Sequence, residues 1–426
     1  MFEERYMEAV IYLNFAISLL FFVCYLYQFV YVFVGLFTKP RTYEAKKHHR
    51  FAVVISARNE ACVIGNLIES VHKQNYPADM LDVFVVADNC TDNTAAVARE
   101  AGAIVYERSN KQQVGKGYAL DWLFKRIDAD YAHKNYEAYM IFDADNILES
   151  NFVEEMNKVF DNGYRIITSY RNSKNYGQNW LTAGYSLWFL REARYLNNAR
   201  MNLKTSCAVS GTGFLVSAEV IRNNGGWIHH LLTEDIEFTA DSIAKGEKIG
   251  YCANAVLYDE QPSELKVSYN QRLRWAKGFY QVFIHYGAKL FKGIFKGSFS
   301  CFDMLMMLTP SMLLTVFSVL VNIVATCVAA AVAPSYVLPL LKVLGETLLS
   351  FYGMFFILGA ITMITEWKMI HCHGSKKVLY LFTFPLFMMT YAPIAIIALF
   401  KRVKWVPIKH SVDKTIEEME KETAAK

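Results

Sequence analysis

Residues 139–146 read YMIFDADN: four apolar or aromatic residues, then two aspartates one residue apart, then an asparagine. The apolar half has the composition of a buried strand. Two carboxylates at the end of such a strand repel each other and lose hydration unless a cation or an array of donors compensates them. The stretch predicts a strand that carries an acidic pair to the edge of a sheet, where something positive binds.

The pattern repeats on both sides. FAVVISA (51–57), DVFVVAD (82–88), AIVY (103–106), AYMIFDAD (138–145) and RIIT (165–168) are short runs, apolar on both faces as strands of a buried parallel sheet are. Helical patterns at 60–74, 92–101, 117–127 and 150–161 separate them. Alternating order of this kind predicts an α/β domain with a Rossmann-like, mostly parallel sheet and ligands at the carboxyl ends of the strands. Asp88, Asp143 and Asp145 fall at such ends.

The rest of the chain is too apolar for an ordinary soluble domain, with 54% hydrophobic residues and a mean hydropathy of +0.16. Residues 10–37, 304–333, 347–365 and 378–400 contain no charge. Each has roughly the 20 apolar residues needed to cross a hydrocarbon core. The first is too long for a signal-peptide core and no small-x-small site follows it, so it reads as a retained anchor. Glu3, Glu4 and Glu8 precede it and Lys39, Arg41, Lys46, Lys47 and Arg50 follow, which places the intervening domain in the cytoplasm. Three C-terminal spans would put Lys401, Arg402 and Lys404 on the opposite side, against the same rule. Either one stretch is re-entrant or interfacial, or the tail breaks the rule.

A net charge of +4, with basic residues clustered near the spans, fits anionic headgroups and excludes nucleic acid as a partner. The eight cysteines form no CxxC pair and suit a reducing cytosol. His371-Cys372-His373 reads as a solvated loop, since a zinc site wants four ligands at fixed spacing.

The Asp143–Asp145 pair suits a hard divalent cation, Mg²⁺ or Mn²⁺, that keeps positions open for diphosphate oxygens. Alone, D-x-D is often a turn, but other polar strand ends accompany it. VVADNCTDNTA (85–95) brings Asp88, with Asp92 as a helix N-cap, and ISARNEA (55–61) brings Arg58, Asn59 and Glu60. These edges converge over a cleft sized for a nucleotide's base and ribose. In GKGYAL (115–120), Lys116 stands at a helix start, where an ammonium and backbone N–H groups meet phosphate. SGTGFLVS (210–217) places Gly211, Thr212 and Gly213 before a strand, where an acceptor can come close. LLTEDIEFTADSIAKG (231–246) offers Thr233 as N-cap and Glu234 and Asp235 in the first helical turn. Acidic residues there either compensate the helix dipole or supply a general base to a hydroxyl attacking a sugar carbon. In QRLRWAKG (271–278), Gln271, Arg274 and Trp275 share a helical face that can hold a diphosphate and a sugar ring. The basic, aromatic stretch that follows suits the membrane surface.

Asp88, the D-x-D at 143–145, TED at 233–235 and Q-x-x-R-W at 271–275, in that order, resemble the membrane-integrated glycosyltransferases of family 2. That group holds cellulose synthase, hyaluronan synthase and poly-N-acetylglucosamine synthase. The resemblance covers residues 50–280 by motif and the flanking spans by layout. It implies a GT-A fold between transmembrane helices, a UDP-sugar donor, Mg²⁺ or Mn²⁺, and inversion at the anomeric carbon. Carried over by position, Glu60 and Asp88 contact the uridine, and Asp143 and Asp145 the ribose, diphosphate and metal. Lys116 joins the donor site; Asp235 is the base, with Glu234 beside it. Gly211, Thr212 and Gly213 flank the acceptor, and Gln271, Arg274 and Trp275 grip diphosphate and acceptor. KWVPIKH (404–410) resembles a cytoplasmic element near the donor site of some polymer synthases. Where relatives carry two adjacent aspartates this chain has Ala87-Asp88, so one uridine contact is missing.

The expected division is an anchor at 1–40, the GT-A domain at 41–270, amphipathic interfacial helices at 271–303, transmembrane helices at 304–403 and a polar tail at 404–426. The expected activity is elongation of a β-linked polysaccharide at the inner face of a bacterial plasma membrane, from UDP-N-acetylglucosamine first and UDP-glucose second, with a possible accessory export subunit. Transfer of one sugar to a lipid acceptor, as in ceramide glucosyltransferase, is the alternative, and a non-catalytic scaffold or export subunit a third.

Overall fold

The computed structural model describes residues 2–308, 310–408 and 410–424; Lys409 of the KWVPIKH stretch lies outside them. The strands are β1 (Phe51–Ala57), β2 (Leu81–Asp88), β3 (Ile104–Arg108), β4 (Ala138–Asp143), β5 (Ile147–Leu148), β6 (Ile166–Ser173), β7 (Phe214–Ser217) and β8 (Ile249–Asp259). They form one sheet in the order β3-β2-β1-β4-β7-β6-β8-β5. β1 lies parallel between β2 and β4, β2 pairs parallel with β3, and β6 with β8. β7 and β5 run against their neighbours. The sheet is thus mostly parallel. The strand after the SGTG motif fills the gap between β4 and β6 from the opposite end, a reversal that side-chain periodicity does not encode.

Helices α1 (Phe2–Phe37), α2 (Ile64–His72), α3 (Thr94–Glu100), α4 (Lys116–Tyr131) and α5 (Phe152–Asp161) precede or cover the first strands. α5 buries Phe152, Val153, Met156 and Val159 on one face, which is why its sequence holds a helix against the sheet. α6 (Trp180–Arg191) continues through a π-helical turn at Glu192–Asn197 into α7 (Asn198–Asn202). α8 (Ala218–Asn223) and α9 (Glu234–Ala244) complete the domain.

The Q-x-x-R-W stretch lies inside a helix that already begins at Leu265, so the expected boundary at 270 cuts through α10 (Leu265–Phe295). α11 (Phe299–Leu308), α12 (Pro310–Val332), α13 (Val337–Thr365), α14 (Gly374–Met389), α15 (Tyr391–Phe400) and α16 (Ile416–Ala424) follow. Among the described residues, four stretches are long and apolar enough to cross a membrane: Glu3–Phe37, Leu313–Val332, Pro334–Thr365 and Gly374–Phe400. α1 turns Phe15, Phe22, Phe29 and Phe33 outward, as a lipid-facing helix does. Asn14 of α1 and Asn322 of α12 exchange two amide hydrogen bonds of 3.1 and 2.9 Å, a polar tie between spans.

The fourth apolar stretch is long and apolar enough to be the expected third C-terminal span. It is broken at Thr390, between α14 and α15, and both ends rest on the sheet domain and α10. At one end Lys376 Nζ donates to the Gly177 carbonyl at 3.0 Å. At the other, Lys277 Nζ of α10 donates to the Ala398 carbonyl at 3.0 Å and Lys401 lies over the Tyr269 ring. Buried Arg272 caps the break, donating to Thr390 Oγ1 at 2.5 Å and to the Phe387 carbonyl at 3.3 Å. The segment is thus attached to the sheet domain near its start and to α10 near its end, and Gly374–Phe400 remains long and apolar enough to cross a membrane. The 371–373 loop is solvated in part: His373 is exposed, whereas Cys372 is buried and His371 Nε2 lies 3.3 Å from Tyr258 Oη.

Candidate active site

The carboxyl ends of β1, β2 and β4 lie side by side, and the polar residues just beyond them form one cleft. Two asparagines make the turns there, Asn59 with φ 59° and Asn89 with φ 53°, a left-handed conformation that asparagine tolerates better than most residues. Asn59 Oδ1 accepts from Thr91 N at 2.7 Å, fastening the first two strand ends together. Asp92 sits one residue before the N-cap Asn93 and still binds the helix start, accepting from Thr94 N at 3.1 Å.

Asp143 and Asp145 occupy the turn after β4. Asp143 is half-exposed and accepts from Lys116 Nζ at 2.5 Å. Lys116 also donates to the Gly211 carbonyl at 2.6 Å, so it joins the acidic turn to the SGTG loop. Burial opposes its charge, but Asp143 and Glu234 outweigh burial and raise its pKa. The glycines around it are required by shape: Gly115 has φ 131°, and a Cβ on Gly117 would overlap the His229 carbonyl oxygen. Asp145 is buried, accepts from Glu260 N at 2.9 Å, and lies 3.9 Å from His410 Nε2. Burial works to raise its pKa, yet His410 and Lys174 hold it below the ordinary carboxylate value.

Glu60 is buried and its carboxylate accepts from His410 Nδ1 at 3.0 Å. Burial lifts it to about 6 against the pull of His410. Burial disfavours the charged imidazole of His410, but Asp145 and Glu60 push it up to about 10. Asp88 is at its expected strand end, but its carboxylate is taken by Arg108 at 2.5 Å.

The SGTG loop corrects an expectation. Thr212 is buried and turned inward: its hydroxyl donates to Asn146 and accepts from Asp143 N at 2.9 Å. A Cβ on Gly213 would overlap Leu257. Both residues hold the acidic turn from behind and are closed to an acceptor; only Gly211 faces the cleft. The position of a Cβ on Gly211 is 3.7 Å from Arg171 Nη1 and 3.7 Å from Asp235 Oδ2.

Glu234 and Asp235 open α9, and both ionise with difficulty. Burial, then Asp235, pushes Glu234 up to about 7, and burial raises Asp235. Lys116 and Arg274 are the nearest opposing charges for both. Thr233 holds the N-cap position but makes no capping bond; it is pressed against Gly278 of α10. Along α10, Arg274 Nη1 reaches the Leu232 carbonyl at 3.3 Å, and Trp275 meets the edges of Tyr185 and Phe189. Gln271 Oε1 is buried without a hydrogen-bond partner, aligned with Arg274 on the same face.

Several site residues escaped sequence reasoning. Arg171 on β6 donates to Asp259 at 2.7 Å and to the Ser210 carbonyl at 2.9 Å, and stacks 3.8 Å from the Phe189 ring centre. Lys174 is fully buried with Nζ unpartnered, and burial lowers its pKa. The tail binds through Ser411 N and Val412 N, which donate to Glu260 at 2.9 and 2.8 Å. The one sequence signal was charge following a strand, in YRNSK (170–174) and YDE (258–260).

Among the described residues no group of three or more His, Cys, Asp and Glu forms a metal cage. Two carboxylates on one turn fit a cation that takes its other oxygens from a diphosphate and water, as Mg²⁺ does. An acidic turn, a lysine at a helix N-terminus and a buried carboxylate on a second helix meet at the carboxyl edge of a mostly parallel sheet, the arrangement of a GT-A glycosyltransferase. Residues 48–278 match the description "Glycosyltransferase like family 2", and the chain belongs to that family.

Among its relatives are the probable glycosyltransferase YdaM of Bacillus subtilis strain 168, 25% identical over 58% of this chain and 59% of that protein, and the beta-monoglucosyldiacylglycerol synthase of Synechocystis, 24% identical over 55% and 48%. The chain thus spans about half to three fifths of those curated relatives. In structure it is similar to the mannosyltransferase PcManGT of Pyrobaculum calidifontis, solved with GDP-Man and Mn²⁺, with a TM-score of 0.56 at 17% identity over 92% of this chain and 99% of that one.

Proposed function

We propose that the protein transfers one β-linked hexose from a UDP-sugar, UDP-glucose or UDP-N-acetylglucosamine, to a hydroxyl of a membrane lipid at the cytoplasmic surface. The observation that carries the transfer is Asp235. Its carboxylate is raised by burial and flanks Gly211, in the same cleft as the Asp143–Lys116 pair.

In this reading Glu60 and the strand ends hold the nucleoside, and Gln271 and Arg274 grip the diphosphate. Asp143 and Asp145 would hold a Mg²⁺ or Mn²⁺ ion, which supplies charge neutralisation to the departing diphosphate. Asp235 takes the proton of the acceptor hydroxyl while that oxygen bonds to the anomeric carbon. The bond from that carbon to the β-phosphate oxygen breaks with its electron pair leaving on UDP, and the configuration inverts. Lys116 and Arg274 stabilise the charge, and Trp275 offers the acceptor a flat wall.

Two points favour a lipid over a growing polymer. The curated relatives include a synthase of monoglucosyldiacylglycerol. The apolar segment Gly374–Phe400 is attached to the sheet domain and α10 through Lys376 and Lys277, which sets an apolar surface beside the cleft for a lipid acceptor. Polymer elongation, the reading that the order of motifs and spans suggests, is separated from it by product size. Membranes holding the protein or Asp235→Asn, given Mn²⁺ and one radiolabelled nucleotide sugar at a time, GDP-mannose included, decide. Asp235-dependent label in a lipid extract supports the proposal; label in high-mass material makes the protein a polymer synthase.

A further inference from the structure

Gly211 marks an opening in the cleft. A Cβ there would stand 3.7 Å from Arg171 Nη1 and 3.7 Å from Asp235 Oδ2, and among the described residues no other atom beyond its chain neighbours comes within 4 Å of it. The guanidinium and the carboxylate therefore face each other across space that a side chain at 211 would fill, at no more than twice that distance. Hydrogen bonds run about 2.9 Å from donor to acceptor, so one small oxygenated group can reach both atoms at once.

Arg171 is fixed with a donor on that side. Its Nε donates to Asp259 at 2.7 Å, Nη2 pairs with the same carboxylate, and Nη1 donates to the Ser210 carbonyl at 2.9 Å. Arginine carries five N–H groups; these contacts use three, and one of the remaining two is on Nη1, the nitrogen beside Gly211. The guanidinium lies 3.8 Å from the Phe189 ring centre, and Phe189 in turn meets Trp275 edge-on. Arg171 thus continues the wall that Trp275 begins, and a planar fork held this way loses little freedom when it binds.

The charges limit what that N–H can take. Asp259 is 2% exposed and neutralises the guanidinium at close range, so an acceptor phosphate gains little there, whereas a neutral oxygen needs only the donor. The attacking oxygen is a poor partner: it gives its proton to Asp235 and needs its electron pair for the anomeric carbon, and donation from a cation holds that pair back. The oxygen on the next carbon has no such conflict. We infer that Arg171 binds the acceptor through the oxygen adjacent to the attacking hydroxyl, so that the protein selects 1,2-dioxygenated acceptors, as glycerolipids are, over simple alcohols. The inference rests on the reading of Asp235 as the base.

The test uses the full chain in mild detergent with Mn²⁺ and UDP-glucose or UDP-N-acetylglucosamine, and hexane-1,2-diol or hexan-1-ol as soluble acceptors. Mass spectrometry counts the glycosides formed, and UDP released without acceptor measures transfer to water. The native protein should use the diol with a kcat/KM at least tenfold above that of the alcohol. Arg171→Lys keeps a cation beside Asp259 but lacks the fork; it should bring that ratio below about threefold through the KM of the diol, with the KM of the donor and release to water within about twofold of native. Should this variant lose calorimetric UDP binding, Phe189→Leu, which removes the ring under the guanidinium, must lower the ratio instead. Equal use of diol and alcohol by the native protein, no diol product, an unchanged ratio in the variants, or a raised donor KM, which would assign Arg171 to the donor sugar, overturns the inference. Transfer that survives Asp235→Asn removes the base, and high-mass product in membranes removes the lipid acceptor; in both cases the comparison of diol with alcohol still judges Arg171.

Discussion

His410 Nδ1 lies 3.0 Å from the Glu60 carboxylate, although 350 residues separate the two. The C-terminal tail thereby places a positive charge inside the cleft, 3.9 Å from Asp145. A divalent cation and this imidazolium would repel each other across the same carboxylate. His410→Ala should lower the Mn²⁺ concentration giving half-maximal rate by about tenfold, or ~1.4 kcal/mol. A metal titration of initial rates measures it; an unchanged or higher requirement would remove the competition.

Asp235→Asn keeps the shape of the first turn of α9 and removes the base. Turnover should fall by about 10²–10⁴, the usual worth of a positioned proton acceptor, while UDP affinity measured by calorimetry stays within about twofold. Loss of both together would take Asp235 out of the base role.

The pH profile should carry the mark of the Glu234–Asp235 pair. The base works ionised, and burial raises both groups, Glu234 to about 7. The rate should therefore rise with pH through an acidic limb near 7 and level above it, the apparent value belonging to the pair. Glu234→Gln removes a neighbouring negative charge and should move the limb toward lower pH. A limb that stays fixed in this variant would place the controlling ionisation elsewhere.

The sidedness of the residues that flank α14–α15 is testable by labelling. With exposed Cys62 and Cys327 changed to serine, single cysteines in place of Thr42 and Arg402 should react with an impermeant maleimide from one side of sealed vesicles. A cysteine in place of Ser335, in the α12–α13 connection, should react from the other. Opposite sidedness for 42 and 402 would establish a fourth crossing.

Arg272 is 1% exposed and ties the Phe387–Thr390 break to α10. Arg272→Met leaves those oxygens without their donor and should cost about 1–3 kcal/mol, read as a lower melting temperature in detergent. Lysine at the same position should recover part of the loss.

The strands and their acidic ends were legible because their information is local. FAVVISA, LDVFVVAD and AYMIFD are apolar on both faces, and each side chain's burial follows from period and composition alone. The D-x-D, TED and Q-x-x-R-W motifs were legible because carboxylates, amides and an indole in those places have few purely structural uses in combination.

What the sequence left open depends on contacts between distant segments. Nothing local distinguishes Thr212, which is closed behind the acidic turn, from Gly211 beside it, which faces Asp235. An apolar run of 27 residues satisfies the length rule for a span; its attachment to the domain through Arg272, Lys277 and Gly177 is reached only through tertiary packing. Arg171, Lys174 and His410 join the cleft for the same reason. Periodicity and motif chemistry are written along the chain and fixed the class of fold and reaction, whereas the partners of a buried charge are set by low-dielectric packing between elements far apart in sequence, and that arrangement exists only in the folded chain.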